Sequence, residues 1–252
     1  MLLSRCCAVI PCFNEAATIE SVVAGVKRLL TAVIVVDDGS EDGGGALAGA
    51  AGAKVIVLER NRGKGAALRE GWRCARQAGF DWVLMLDADG QHSSEDIPKL
   101  FECARRTGAL LVVGNRMKQC GRMSPLRRVV NRRMSGHLSA LTGVAVPDSQ
   151  CGFRLAHLQT LLDLPLTANH FEIESEMITA FAAAGETIAF VPIAALSKNR
   201  PSKIRPLLDT ARWFWWRLRQ PAALRAAMTP TLGGERRGAG GFPVHGKGAI
   251  TP

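Results

Sequence analysis

The stretch "WVLMLDADGQH" (residues 82–92) decides how this chain is read. An apolar run of strand length ends in Asp87, Asp89 and Gln91, which alternate with the small residues Ala88 and Gly90. Burying a strand asks for none of these polar groups. Upstream, "CCAVIP" (6–11) and "AVIVVDD" (32–38) are two more apolar runs that break into polar residues, and "KVIVLE" (54–59) is a third. Between them lie helical patterns. In "EAATIESVVAGVKRLL" (15–30), Ile19, Val22, Val23, Val26 and Leu30 share one helical face. Asp42 to Ala51 reads as a loose helix, and "GAALREGWRCARQAG" (65–79) as a helix stopped by Gly79. Downstream, "SSEDIPKLFECARR" (93–106) opens with capping residues and leads to a fifth strand, "ALLVVGN" (109–115).

Continuous apolar strands separated by helices indicate an α/β fold, a mostly parallel sheet with helices on both faces. Ligands of such sheets sit at the carboxyl ends of the strands. "PCFNE", "DDGSED" and "DADGQH" all fall at such ends and line one edge. After Met117 come a basic helix ("MSPLRRVVNRRMSGHLSALTG"), a turn with a short strand ("DSQCGFR"), a helix with early acids ("FEIESEMITAFAAAG") and a late strand ("TIAFVPIAAL"). Residues 1–220 are expected to form a single domain, with an amphipathic helix at about 205–225. Residues 229–252, rich in Gly, Pro and Arg, are expected to be a disordered tail.

The 252 residues, 47% hydrophobic, suffice for one large core. A formal net charge of +10 favours anionic partners. Seven Cys with no CxxC pair speak against a disulfide framework or structural zinc, and suit a reducing cytosol. No apolar run approaches the roughly 18 residues of a membrane span. The opening "MLLSRCCAVIPCFNE", interrupted by Arg5, reads as a first strand rather than a signal peptide.

Two carboxylates at alternating strand positions project to one side. With the Gln91 oxygen they form a hard donor set suited to Mg²⁺ or Mn²⁺. The bland alternative is a solvated, helix-capping loop. Asp37 and Asp38 can accept hydrogen bonds from a nucleobase or ribose, or can simply shape a turn. "NRGKG" (61–65) is not a Walker A motif, because Gly65 follows Lys64. It either offers N–H groups to an anion or is a flexible loop entering a helix.

Together "VIPCFNEAATI", "VIVVDDGSEDG", "NRGKGAALREG", "LMLDADGQH", "GNRM", "DSQCGFR", "FEIESEMI" and "SKIRPLLDT" resemble the family 2 glycosyltransferases with the GT-A fold. The last group is similar to the dolichyl-phosphate mannosyltransferase and polyprenyl-phosphate glycosyltransferase branch. The resemblance spans roughly residues 5–215. It implies inverting transfer of a sugar from a GDP- or UDP-linked donor to a polyprenyl phosphate. Asp87, Asp89 and Gln91 would hold Mg²⁺ or Mn²⁺ against the donor diphosphate. Pro11, Phe13, Glu15, Asp38, Asp87 and Ala88 would surround the nucleotide. Phe13 stands where Tyr is commoner, in a chain with no Tyr. Arg116 matches a basic residue near the transferred group, and Asp89, Arg116 and Asp148 form the catalytic set.

A lipid phosphate is already an anionic nucleophile near neutral pH. It needs cations rather than a strong base. The resemblance assigns Arg127, Asn131, Lys203 and Arg205 to it, with Asn131 where the branch often has Ser. Asp148 could act as base for a hydroxyl acceptor or orient Arg154. Glu172 and Glu174 either bond sugar hydroxyls or cap a helix. His92 reads as a surface residue. In "RWFWWRLR" (212–219), aromatics flanked by cations suit a membrane interface; packing on the core is the alternative. The expected location is cytoplasmic and peripheral on a membrane. Three other functions compete: transfer to a soluble or hydroxyl acceptor, nucleotidyl transfer, and nucleic-acid binding. "PCFNE" stands where nucleotidyltransferases have a Gly-rich basic start, and no nucleic-acid motif appears, so no nucleic-acid partner is expected.

Overall fold

The computed structural model describes residues 5–117, 125–196, 212–213 and 215–216. Seven strands form one sheet in the order β3-β2-β1-β4-β6-β5-β7. They are β1 (Cys6–Cys12), β2 (Ala32–Asp37), β3 (Lys54–Val57), β4 (Trp82–Met85), β5 (Leu111–Asn115), β6 (Arg154–His157) and β7 (Ile188–Pro192). The helices are α1 (Ala16–Lys27), α2 (Gly44–Ala50), α3 (Lys64–Gln77), α4 (Ile97–Thr107), α5 (Pro125–Thr142), α6 (Leu158–Asp163) and α7 (Glu172–Ala183).

Burial follows strand position. β1, β2, β4 and β5 are almost wholly buried, whereas the edge strands β3 and β7 are only partly covered. This is why the central runs read as unbroken Val, Ile and Leu. The chain steps outward from β1 to β2 and β3, and α3 then carries it back across β2 and β1 to β4. Right-handed crossovers place helices of opposite direction on opposite faces. A Cβ on Gly71 would stand 2.3 Å from a Val9 methyl, so α3 lies as close to β1 as a glycine allows. The direction of crossover reverses between β1 and β4, which makes that edge the switch point where ligands bind.

β6 alone runs antiparallel to its neighbours β4 and β5; the other pairings are parallel. The reversal has a positional effect. Because β6 starts where β4 ends, with Met85 opposite Arg154, residues 148–153 lie at the same edge as Asp87. The strands and long helices fall where the sequence places them. The short helix α6 has no counterpart in the sequence reading. The segments around Lys203 and Arg205 and the tail 229–252 lie outside the described residues.

Candidate active site

Four strand ends meet at the switch edge. After β1, Asn14 takes a left-handed backbone with φ 51°. Its Oδ1 accepts from Glu41 N at 2.9 Å, its N–H donates to Ser40 Oγ, and Ala16 N donates to Asp42 Oδ2 at 2.7 Å. The loops after β1 and β2 are thereby tied together. Pro11 is half-buried, Phe13 is 36% exposed at the mouth, and Glu15 heads α1. Asp38 is 3% exposed, and its two oxygens accept from the N–H groups of Arg62 and Gly63, both at 2.7 Å. Burial raises its pKa against those bonds. Asp38 holds the 61–65 loop, and any contact with a nucleotide uses a second lone pair on one of these oxygens.

That loop is not an anion cradle. Gly65 and Ala66 both donate to the carbonyl of Asn169, at 2.7 and 3.2 Å. With the Arg62 and Gly63 N–H groups on Asp38, four N–H groups in and just after the loop already have acceptors within the protein. A Cβ on Gly65 would stand 2.2 Å from Ala168 O, so only glycine lets the two segments meet. The loop's contribution is a side chain, Lys64. Its Nζ reaches Asp87 Oδ1 and, at 2.6 Å, Glu174 Oε1, and it lies 5.7 Å from the centre of the Phe171 ring. Burial disfavours the ammonium, but the charges of Asp87 and Glu174 outweigh it and raise the pKa. Glu174 is therefore an ion-pair partner, which neither sequence reading anticipated.

Asp87 is the hub. Gly152 crosses directly above it: a Cβ there would stand 2.5 Å from Asp87 Oδ2 and 2.7 Å from Lys64 Nζ. His92 Nε2 lies 3.4 Å from Asp87 Oδ2. The surface reading of His92 is corrected. It is 6% exposed, its ring packs against Phe153 at 5.3 Å, and residue 92 bridges to Ala195. Neither ring nitrogen makes a hydrogen bond of good geometry among the described residues. Burial pushes the Asp87 pKa up, but Lys64 and His92 hold it well below the usual carboxylate range. Asp89 is raised instead, by burial and then by the neighbouring Asp87 charge. Its Oδ1 accepts from Gln91 N at 2.9 Å, closing the turn at Gly90. Ala88 is buried, and its carbonyl accepts from Thr18 Oγ1 at 2.7 Å, which fixes the DxD turn to α1.

These residues fit a hard divalent cation. The donors are carboxylate and amide oxygens, the Asp87 charge disfavours that of Asp89, and a cationic side chain already stands against Asp87. Among the described residues no cluster of three His, Cys, Asp or Glu could hold a metal. Two carboxylates with Gln91 leave coordination open for substrate oxygens, as Mg²⁺ sites commonly do.

The wall beyond β5 is cationic. Arg116, 8% exposed, forks onto Asp148: Nε to Oδ2 at 2.9 Å and Nη2 to Oδ1 at 3.0 Å. Asp148 also accepts from Arg116 N, Asn131 Nδ2 at 2.8 Å and Gln150 N. It is fully buried. Burial raises its pKa, but the charge and hydrogen bonds of Arg116, joined by Asn131, bring it below the ordinary value. The oxygens of Asp148 are occupied and enclosed, which weighs against a role as base. Arg154 donates instead to the carbonyls of Cys151, Ser149 and Glu174. Asn131, predicted as an acceptor-phosphate contact, is 4% exposed and donates to Asp148. Arg127 is half-buried; burial and the Arg116 charge lower its pKa, against the opposing pull of Asp89, Asp148 and Asp87. It thus stands in the field of the DxD acids.

The aromatic segment divides. Trp213 is 5% exposed, its indole N–H donates to Ser175 Oγ at 3.0 Å, and its ring meets His137 edge-on. Trp216 Nε1 reaches Glu176 Oε1 at 3.4 Å, while Trp215 is 61% exposed. Core packing accounts for two of these Trp residues. Cys151 is buried, which pushes its thiol up to about 12 and suits a packing role.

A parallel sheet with one reversed strand, and a DxD turn at its switch edge, define a GT-A glycosyltransferase fold. The chain belongs to Glycosyl transferase family 2, whose sequence pattern matches residues 7–159. It is 35% identical over 189 residues to glycosyltransferase AglJ of Haloferax volcanii, covering 74% of this chain and 61% of that one. It is 32% identical over 143 residues to the undecaprenyl-phosphate mannosyltransferase of Micrococcus luteus, covering 54% and 58%. The chain thus spans about three fifths of the length of these curated relatives. Among solved structures it resembles the glucosyl-3-phosphoglycerate synthase of Mycobacterium tuberculosis in complex with Mn²⁺, UDP-glucose and phosphoglyceric acid. The identity is 27% and the TM-score 0.65, covering 88% of this chain and 79% of that one.

Proposed function

We propose that this chain transfers a sugar, with inversion, from a nucleoside-diphosphate sugar to a polyprenyl phosphate. One observation carries the choice of nucleophile: Asp148, the carboxylate best placed by sequence to act as base, is fully buried and bound by Arg116, Asn131 and Gln150. A hydroxyl acceptor must lose a proton to such a group. A phosphate monoester is already largely dianionic near neutral pH, with a second pKa of about 6. The site instead presents Arg127, half-buried beside the Arg116 charge, which suits an anionic nucleophile. The name of the Micrococcus luteus relative supports the same acceptor class.

In this reading Pro11, Phe13, Glu15 and Asp38 bind the nucleotide. Asp87, Asp89 and Gln91 would hold Mg²⁺ or Mn²⁺, which when bound neutralises charge on the leaving diphosphate. Arg127 holds the acceptor phosphate for attack on the anomeric carbon from the side opposite the diphosphate, and Arg116, braced by Asp148, lends its charge from behind. Lys203 and Arg205 are retained as further acceptor contacts. No helix among the described residues is long and apolar enough to cross a membrane. The proposed location is the cytoplasmic face of a membrane, with exposed Trp215, Leu126 and Val129 toward the lipid.

A second reading, transfer to a soluble phosphorylated acid, is supported by the phosphoglyceric acid in the similar mycobacterial structure. Purified protein with GDP-mannose or UDP-glucose and Mg²⁺ or Mn²⁺ tests both. Nucleotide release dependent on a short polyprenyl phosphate, and lost in Asp89→Ala, supports the first. Release dependent on phosphoglycerate supports the second. Release with neither acceptor class overturns both.

A further inference from the structure

Lys64 stands where the metal reading needs an open carboxylate. Its ammonium bridges Asp87 Oδ1 and Glu174 Oε1. The two seats differ. The side chain of Asp87 is 28% exposed and belongs to the DxD turn, whereas that of Glu174 is 5% exposed and lies on the first turn of α7. Phe171 lies beneath the ammonium and Gly152 passes over it, so the group is confined to the line between the two acids.

Resting on the metal-dependent reading above, we propose that Lys64 is a resident counter-ion: it occupies Asp87 in the free protein and withdraws to Glu174 when a divalent cation takes up Asp87. A dication and an ammonium on one carboxylate repel each other. Glu174 gives the displaced ammonium a carboxylate partner, so no charge is left buried and unpaired. No bond is made or broken and no proton moves. Lys64 is a positioning residue that keeps the two acids paired without metal and sets how tightly free metal is held.

The test is Mn²⁺ titration of the full chain, with free Mn²⁺ followed by electron paramagnetic resonance and no sugar donor present. Lys64→Met removes the competitor and is expected to tighten Mn²⁺ binding about tenfold, the size typical of groups just outside a metal's ligands. Glu174→Gln strands the ammonium on Asp87 and is expected to weaken binding by a similar factor. In the double variant the Glu174→Gln effect is expected to vanish, since no ammonium remains to retain. Lys64→Met binding Mn²⁺ no more tightly than the unaltered chain would overturn the proposal. So would an equal Glu174→Gln effect with and without Lys64, which is the mark of simple charge loss. If the Lys64 variants do not fold, Glu174→Gln alone decides, and unchanged Mn²⁺ affinity sinks the idea. An unaltered chain that binds no Mn²⁺ removes the metal-dependent reading and this inference with it. Binding that is equal in all variants removes only the inference.

Discussion

Arg116 and Asp148 form a two-pronged ion pair closed off from solvent, with donor–acceptor distances of 2.9 and 3.0 Å. Asn131 braces the same carboxylate from α5. The pair ties the end of β5 to the turn before β6, so the wall facing the DxD acids is fixed by charge rather than by a strand. Breaking such a pair leaves a buried charge alone. Asp148→Asn is therefore expected to cost about 3–5 kcal/mol of stability. Urea denaturation measures it, and a loss under about 1 kcal/mol contradicts the pairing.

The same pair has a pH signature. The folded pKa of Asp148 is depressed, so its contribution is fully present above the unfolded value of about 3.9 and is lost as pH falls through the folded pKa. The unaltered chain is expected to lose this increment below about pH 4. Asp148→Asn should lack that part of the acid dependence. Denaturation midpoints from pH 3 to 7 compare the two, and parallel acid limbs would show that Asp148 is not depressed.

Asp89 has its charge disfavoured by Asp87 and by burial. Asp89→Ala is expected to lower the transfer rate by about 10²–10³-fold, the scale seen when one preorganised electrostatic group is removed. Because Asp89 accepts from Gln91 N within its own turn, the thermal midpoint should move little. Steady-state kinetics beside a melting curve separate the two effects.

Gly152→Ala puts a methyl group 2.5 Å from Asp87 Oδ2 and 2.7 Å from Lys64 Nζ. Something must shift, at about 1–3 kcal/mol for an overpacked site. The shift falls on the DxD turn, so Mn²⁺ affinity is expected to change along with stability. A variant with unaltered Mn²⁺ binding would show that Gly152 does not press on Asp87.

Trp213→Phe keeps an aromatic ring on α7 and removes one hydrogen bond to Ser175. The expected loss is about 1 kcal/mol. Trp213→Ala, which also empties a buried ring site, should lose about 3–5 kcal/mol. Similar losses in both would mean that the ring contributes little.

The edge that carries the chemistry was legible because β1, β2 and β4 are apolar runs that give way to polar groups. Cys12, Asp37 and Met85 mark those stops, and the edge they define is where Asp87 lies. The partners were not legible. Arg116 and Asp148 are 32 positions apart, and Lys64 and Glu174 are 110 apart. Nothing local in either sequence stretch announces its mate. His92 looked exposed because it follows a polar turn; Phe153 and the bridge to Ala195, both distant in sequence, enclose it. "NRGKG" resembled an anion loop because its N–H groups looked available. The Asn169 carbonyl that takes two of them comes from a distant segment. The direction of β6 is likewise set by pairing, and four residues of "RLAH" carry no sign of it.

That reversed strand also constrains how the protein is made. β6 sits in the middle of the sheet but arrives late, after β1 to β5 and the long helix α5. On the ribosome, the β3-β2-β1-β4 half is complete in sequence well before His157 emerges. Until then β4 presents a bare edge, and β5 has no neighbour on that side. Unpaired apolar edges of this kind recruit other strands. A nascent chain halted between Asn115 and Arg154 thus leaves β4 without its β6 neighbour.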